Sequence, residues 1–287
     1  MFTISAFGDE IAVDLQEQLD VMNQLNIRNL ELRAAWDINI VNMEKDAVAK
    51  AKELCDAASI TVSGIGSPIG KSPLADPAQK ELTNLDRIFQ NSEKLGTRNI
   101  RIFSFYPPEP DDEELIEDES EYIDGFIDDA AERLNGLTEQ AQRHGFILLL
   151  ENEKGIVGDT VARCHKLIGA IKNPYLRFAW DPANFVQVGE AQVTTDGWPL
   201  LGEYVGYVHI KDALLDGGVV KAAGEGDGQV GELLDALRDS GYEGFLALEP
   251  HLAIAGHSSG FSGSDGMAYA VKALRDLMEK HECEEVL

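Results

Sequence analysis

Apolar residues in this chain fall into short continuous runs separated by longer stretches with helical spacing. Leu148-Leu149-Leu150, Phe178-Ala179-Trp180, Tyr207-Val208 and Leu246-Ala247-Leu248 are such runs. An apolar block of this length reads as a strand covered on both faces, as in a parallel sheet. The same alternation extends over the whole chain. Strands are predicted at residues 2–7, 29–33, 60–64, 99–103, 146–151, 176–181, 205–210 and 245–249. Helices are predicted at about 14–25, 43–58, 77–95, 122–143, 159–171, 230–240 and 266–279, with a short helical piece after the sixth strand. Gly96, Gly145 and Gly241 stand where helix ends need a left-handed cap. Eight βα units with no break in composition predict an α/β fold: one (β/α)8 TIM barrel in a single domain over residues 1–287. An open doubly wound sheet is the alternative, but no Gly-x-Gly-x-x-Gly follows an early strand.

Four of the predicted strands end on a side chain that a sheet core has no use for. These are Glu151, Asp181, His209 and Glu249, at one relative height on strands five to eight. Taken singly, a Glu at a strand end is a solvated rim residue and a lone His is a structural one. Jointly they form an oxygen-rich set with one nitrogen, suited to one divalent ion: Mn²⁺, Mg²⁺ or Co²⁺, with Zn²⁺ also compatible. The three cysteines, Cys55, Cys164 and Cys283, are too scattered for a thiolate site.

Composition narrows the partners. The net charge is −27 over 287 residues, and such a surface repels nucleic acid and anionic membrane. A small sugar-like molecule is the expected partner, and a homo-oligomer is compatible with the sequence. An odd number of isolated cysteines favours a reducing compartment, and residues 1–10 lack a signal-peptide pattern. A cytoplasmic location is therefore expected.

The elements Glu151-Asn-Glu153, Asp181-Pro-Ala-Asn184, His209-Ile-Lys211-Asp212 and Glu249-Pro-His251 resemble the xylose-isomerase-like barrel superfamily. The likeness is to its sugar phosphate isomerase/epimerase branch, which includes ketose 3-epimerases and inosose dehydratases. Gly8-Asp-Glu-Ile and Asn29-Leu-Glu-Leu-Arg33 agree with that likeness. The resemblance implies a metal held by Glu151, Asp181, His209 and Glu249, with Glu151 and Glu249 doubling as the acid/base pair. Proton transfer next to a metal-bound carbonyl would then isomerise or epimerise a sugar or sugar derivative. A dehydratase acting on an inosose- or dehydroshikimate-like compound is the alternative. Asn184 departs from the epimerase pattern, which often has His there; Asn hydrogen-bonds but moves no proton near neutral pH.

Further residues are candidates for substrate binding. Glu31 and Arg33 share one face of strand two; an ion pair inside the barrel is the competing account, and Arg101 points the same way. Lys211 shares the face of His209, to hold a substrate oxygen or to bridge Glu249 or Asp181. His251 follows Glu249 with the same spacing, and Lys221 matches a substrate-binding position after strand seven. Glu153 is expected to pair with Lys154 or Lys211. Trp36 and Trp198 are candidates to wall a sugar site, whereas Trp180 is expected to face the helices. Two loops stand out: an acidic one at 106–121 and a Gly-rich one at 212–228, which is expected to cover the substrate because it starts beside His209, with Gly224-Glu-Gly-Asp-Gly228 reading as a tight turn before the next helix. Two further functions are disfavoured. An AP endonuclease needs many histidines at the barrel face, and the chain has six in all. A non-catalytic sugar-binding protein has no need of an intact quartet.

Overall fold

Short buried runs become strands because each backbone group finds a partner on a neighbouring run while both faces stay dry. In the computed structural model, residues 1–109, 119–252 and 262–286 are described. The barrel strands are β1 Thr3–Phe7, β2 Asn29–Leu32, β3 Thr61–Ile65, β4 Asn99–Ile102, β5 Ile147–Glu151, β6 Leu176–Trp180, β7 Val205–Ile210 and β8 Phe245–Leu248. They form one closed parallel barrel in chain order. Closure is direct, since Ile4 lies opposite Leu246 and Ala6 opposite Leu248.

The helices are α1 Leu15–Gln24, α2 Lys45–Ala57, α3 Ala78–Leu95, α4 Glu119–Asp124, α5 Ile127–His144, α6 Val161–Ile171, α7 Pro182–Val186, α8 Val193–Leu201, α9 Val230–Asp239 and α10 Gly263–Lys280. Their starts and stops follow local chemistry. Asp14 accepts the N–H groups of Gln16 and Glu17 at the head of α1. Gly96 and Gly145 close α3 and α5 at φ of 85° and 72°. The short piece expected after the sixth strand is two helices, α7 and α8. Pro199 lies inside α8 without ending it.

Side chains alternate in and out along each strand. The outward set joins the helices in one large core. There Trp180, fully buried, meets Phe185 and Trp198 at ring separations of 5.6 and 5.9 Å. Trp198 therefore packs in the helical layer and does not wall a sugar site. Trp36 is held by Asp14 and lies under the Lys50 ammonium. Inside the barrel, Leu149, Ala179, Tyr207 and Ala247 form a separate apolar layer. Ser5, Ser63 and the Tyr207 hydroxyl cross that layer in a buried chain, with oxygens 2.6 and 3.0 Å apart. A packed floor of this kind makes the barrel a platform and not a pore. The next inward layer above it, at the C-terminal ends of the strands, is polar.

Two loops are built onto that end. The segment after β3 runs alongside the one after β4: Phe103 N–H donates to Ile69 O and Phe105 N–H to Gly70 O, both at 2.8 Å. Gly70 has φ of +83°, and a Cβ there would sit 2.0 Å from the Phe103 carbonyl oxygen. This close approach sets Lys71 against Glu153 at 2.7 Å. After β7, the Gly-rich loop wraps the Asp212 carboxylate, which accepts N–H groups from Ala213, Gly224, Gly226 and Gly228 at 2.8–3.0 Å. Residues 110–118 of the acidic loop lie outside the described residues.

Candidate metal centre at the barrel mouth

Each candidate ligand has a local reason for its position. Glu151 is the last residue of β5, and its side chain is turned inward by the strand alternation that also turns Leu149 inward. Asp181 is the N-cap of α7; its Oδ1 accepts the Asn184 N–H at 3.0 Å, which leaves Oδ2 for another partner. The Asn152 side chain grips the Asp181 backbone from both sides, at 2.9 and 3.0 Å. His209 lies within β7, and Glu249 follows β8 with its N–H on Ile210 O at 3.3 Å.

One ligand atom from each of Glu151, Asp181, His209 and Glu249 lies within 4.8 Å of all the others, and all four residues are buried. His209 Nδ1 is 2.7 Å from Glu151 Oε1, and its Nε2 is 3.2 Å from Glu31 Oε2. A carboxylate on the far ring nitrogen fixes imidazole orientation, as is usual behind a metal-bound histidine. Glu151 Oε2 and Asp181 Oδ2 are buried and accept no hydrogen bond, though each faces a cation in an ion pair, Arg101 and Lys211 respectively. Buried carboxylate oxygens are seldom left so, and a divalent ion satisfies such a set. The residues present therefore fit a divalent ion.

Cations surround the quartet. Lys211 Nζ is 2.9 Å from Asp181 Oδ2 and 3.2 Å from Glu249 Oε2. Arg101 reaches Glu151 Oε2 at 3.3 Å and Glu249 Oε1 at 3.8 Å. Arg33 pairs with Glu249, with Asp9 at 2.7 Å and with Glu10 at 2.9 Å. His251 Nε2 lies 3.2 Å from Glu249 Oε1, and its Nδ1 lies 3.0 Å from Glu10. The ionisation states follow. Burial alone would raise Glu151, but His209 and then Arg101 beside it hold it at about 2. Burial pushes Asp181 up to about 6, and Lys211 offsets this only in part. Burial also works against Glu249, yet Lys211, His251 and Arg33 pull it well below the carboxylate range. Burial opposes charge on His209, and the Glu151 and Glu31 carboxylates raise it well above its ordinary value.

The other sequence candidates divide by place. Lys211, His251 and Arg33 touch the quartet. Lys211 makes both carboxylate contacts, with Asp181 and with Glu249. Glu31 lies against His209, where it orients the ring. Asn184 gives its side-chain N–H to Asn152 O at 2.9 Å, so it buttresses Asp181. Lys221 pairs across a two-stranded hairpin with Asp212, and no ion pair or hydrogen bond among the described residues joins its side chain to the quartet. Glu153 pairs with Lys71 and not with Lys154 or Lys211. Sequence reasoning missed Asp9, Glu10, Lys71 and Asn152. Glu10 is fully buried and accepts from Arg33, His251 and Ser262. Its signal was position: it lies just past β1, at the same end of the barrel as the ligands.

A profile of the family described as xylose isomerase-like TIM barrel matches residues 19–277. The chain belongs to that family. No curated protein matches it. Among solved structures, an IOLI protein with a binding zinc atom superposes with a TM-score of 0.74 at 15% identity, covering 98% of each chain. D-Psicose 3-epimerase with D-tagatose, from Clostridium cellulolyticum H10, gives 0.70 at 17% identity over 98% of this chain and 99% of that one. The probable 3-DHS dehydratase AsbF from Bacillus anthracis gives 0.69 at 17% identity over 95% and 98%. The chain also spans 43% of a xylose isomerase-like TIM barrel/4-hydroxyphenylpyruvate dioxygenase fusion protein, at 16% identity and a TM-score of 0.71. At these identities the likeness establishes the fold. Among the described residues, no helix is long and apolar enough to cross a membrane.

Proposed function

We propose that this protein is a divalent-metal-dependent isomerase or epimerase of a sugar or sugar derivative. The observation that carries the reading is the placement of the two glutamates. Glu151 and Glu249 belong to β5 and β8, with β6 and β7 between them in the closed barrel. They approach the cluster from different sides while Asp181 and His209 hold the middle. In this reading Glu151, Asp181, His209 and Glu249 hold the ion. When bound, the ion supplies Lewis acidity toward a substrate carbonyl or alkoxide oxygen. Mn²⁺, Mg²⁺ and Co²⁺ suit the three carboxylates and one imidazole, and the zinc of the IOLI protein keeps Zn²⁺ in the set.

The chain's own groups supply the proton transfers. One glutamate removes the proton from the carbon next to the carbonyl. The other returns a proton to that carbon from the opposite face, which epimerises it, or to the neighbouring carbonyl carbon while the adjacent hydroxyl proton passes to the former carbonyl oxygen, which isomerises the sugar. Each such acid or base contributes about 10²–10⁴-fold in rate. Lys211 and His251 flank Glu249 and are placed to hold substrate oxygens, with Arg33 behind them. The test is exchange of the substrate C–H with deuterium from D₂O, followed by NMR over a panel of ketoses with Mn²⁺ present. Glu151→Gln or Glu249→Gln should lower exchange by about 10²-fold or more while Mn²⁺ binding, measured in parallel, persists. Full exchange in both variants with metal bound would falsify the assignment.

A dehydratase is the second reading, favoured by one feature: Lys211 puts a buried ammonium beside Glu249. After proton abstraction, an ammonium there can protonate a departing β-hydroxyl group, which leaves as water. Appearance of an ultraviolet-absorbing enone with an inosose- or dehydroshikimate-like compound, in place of a change of configuration, selects it.

A further inference from the structure

The carboxylates of Glu151, Asp181 and Glu249 would repel one another in a site this dry unless positive charge were present. The chain supplies that charge itself. Arg101 contacts Glu151 from β4, but it spreads its charge toward Glu249 at a longer distance. Arg33 contacts Glu249, but it also serves Asp9 and Glu10. Lys211 makes closer contacts with the quartet than Arg101 does, and unlike Arg33 it makes them with quartet carboxylates alone. Its ammonium is ion-paired to two carboxylates, and both are ligands of the quartet, Asp181 at 2.9 Å and Glu249 at 3.2 Å. Its side chain is 6% exposed, so the charge is largely shielded from bulk water. It leaves β7 two residues after His209, on the same face.

We propose that Lys211 is a built-in counter-cation of the centre. Resting on the reading of the quartet as a metal site, the proposal has two parts. With no ion bound, the Lys211 ammonium compensates Asp181 and Glu249 and keeps the barrel mouth folded. When an ion arrives, the same ammonium repels it and withdraws electron density from two of its ligands. The ion is then an exchangeable cofactor, and the fold does not depend on it.

Lys211→Met removes the charge and keeps most of the side-chain volume. Wild type and variant are each stripped with EDTA and followed by circular dichroism on heating. Mn²⁺ is then titrated and the free ion counted by electron paramagnetic resonance. Wild type should stay folded after stripping. The stripped variant should melt at a lower temperature, with Mn²⁺ restoring it. A divalent ion a few ångströms from a unit charge gains on the order of tenfold or more in affinity when that charge is removed, so the variant should bind Mn²⁺ at least about tenfold tighter. A variant that folds only with Mn²⁺ present is the extreme form of the same result, and Lys211→Gln repeats the measurement if the Met variant is not recovered in either state. Equal or weaker Mn²⁺ binding by a folded variant overturns the proposal. If neither protein binds Mn²⁺, the metal-site reading fails. The melting temperatures of the stripped proteins then decide alone: no loss in the variant overturns the counter-cation role, and a loss upholds it.

Discussion

At the scale of single residues, the centre is a stack of carboxylates and cations in which each group sets the next. Glu31 is the clearest case. Its carboxylate is 1% exposed and faces His209 Nε2 at 3.2 Å, so the ring cannot turn without breaking that contact. Removing such a partner behind a metal-bound histidine typically costs about 10–100-fold in metal affinity. Glu31→Ala should therefore weaken Mn²⁺ binding by about that factor, and Glu31→Gln by less, because its amide oxygen still accepts from the ring. Calorimetric titration measures both, and unchanged affinity in the Ala variant would remove Glu31 from the centre. The quartet itself was legible because a charged residue at the end of an apolar strand conflicts with the strand around it. Glu31 showed the same conflict, but its partner lies 178 positions away. Sequence spacing carries no trace of such a contact, so a substrate role looked equally good. Asn184 shows the same limit of sequence spacing. One N–H of its amide goes to Asn152 O, a neighbour that the pairing of β5 with β6 creates.

At the scale of elements, strands and helices were legible and the loops were not. Apolar runs and glycine caps are local signals, and each strand formed where those signals lay. The Gly-rich segment after β7 shows what is lost. Gly224-Glu-Gly-Asp-Gly228 reads as a turn, and its backbone N–H groups do converge as an anion cradle does. The anion is the protein's own Asp212. Burial pushes the Asp212 carboxyl up, and the N–H donors pull it back. The loop tolerates little else, since a Cβ on Gly226 would lie 2.4 Å from Asp212 Oδ1. Asp212→Ala strands several of these donors at a cost of about 1–3 kcal/mol for each one that stays buried. The expected loss is about 3 kcal/mol, roughly 5–10 °C in Tm. Asp212→Asn, which keeps one acceptor oxygen, should lose less. Differential scanning calorimetry checks this ordering, and an Ala variant as stable as wild type would show that the loop does not need its carboxylate.

At the scale of the whole molecule, two charge distributions oppose each other. The mouth of the barrel gathers Arg33, Lys71, Arg101, Lys211 and His251 onto buried or half-buried carboxylates. The chain as a whole carries −27. Nearly all of that excess therefore lies outside the mouth, and it repels itself through solvent. Surface repulsion and buried pairing respond differently to salt. Exposed charges are screened once the Debye length falls below their spacing, from about 30 Å at 0.01 M to about 3 Å at 1 M, whereas desolvated pairs are screened much less. Adding KCl should thus relieve the repulsion while sparing the centre. Tm should rise with KCl across this range, in EDTA so that divalent ions play no part. The same titration on a variant with several exposed acids changed to Gln, such as Glu53, Glu93 and Glu139, should give a higher starting Tm and a shallower rise. These three lie on α2, α3 and α5, away from every contact made by the quartet. A Tm that falls with KCl would mean that exposed ion pairs, such as Lys52 with Asp56 or Lys272 with Asp276, outweigh the net repulsion. Exposed pairs of this kind are worth about 0–1 kcal/mol each, too little and too few to offset an excess of 27 negative charges.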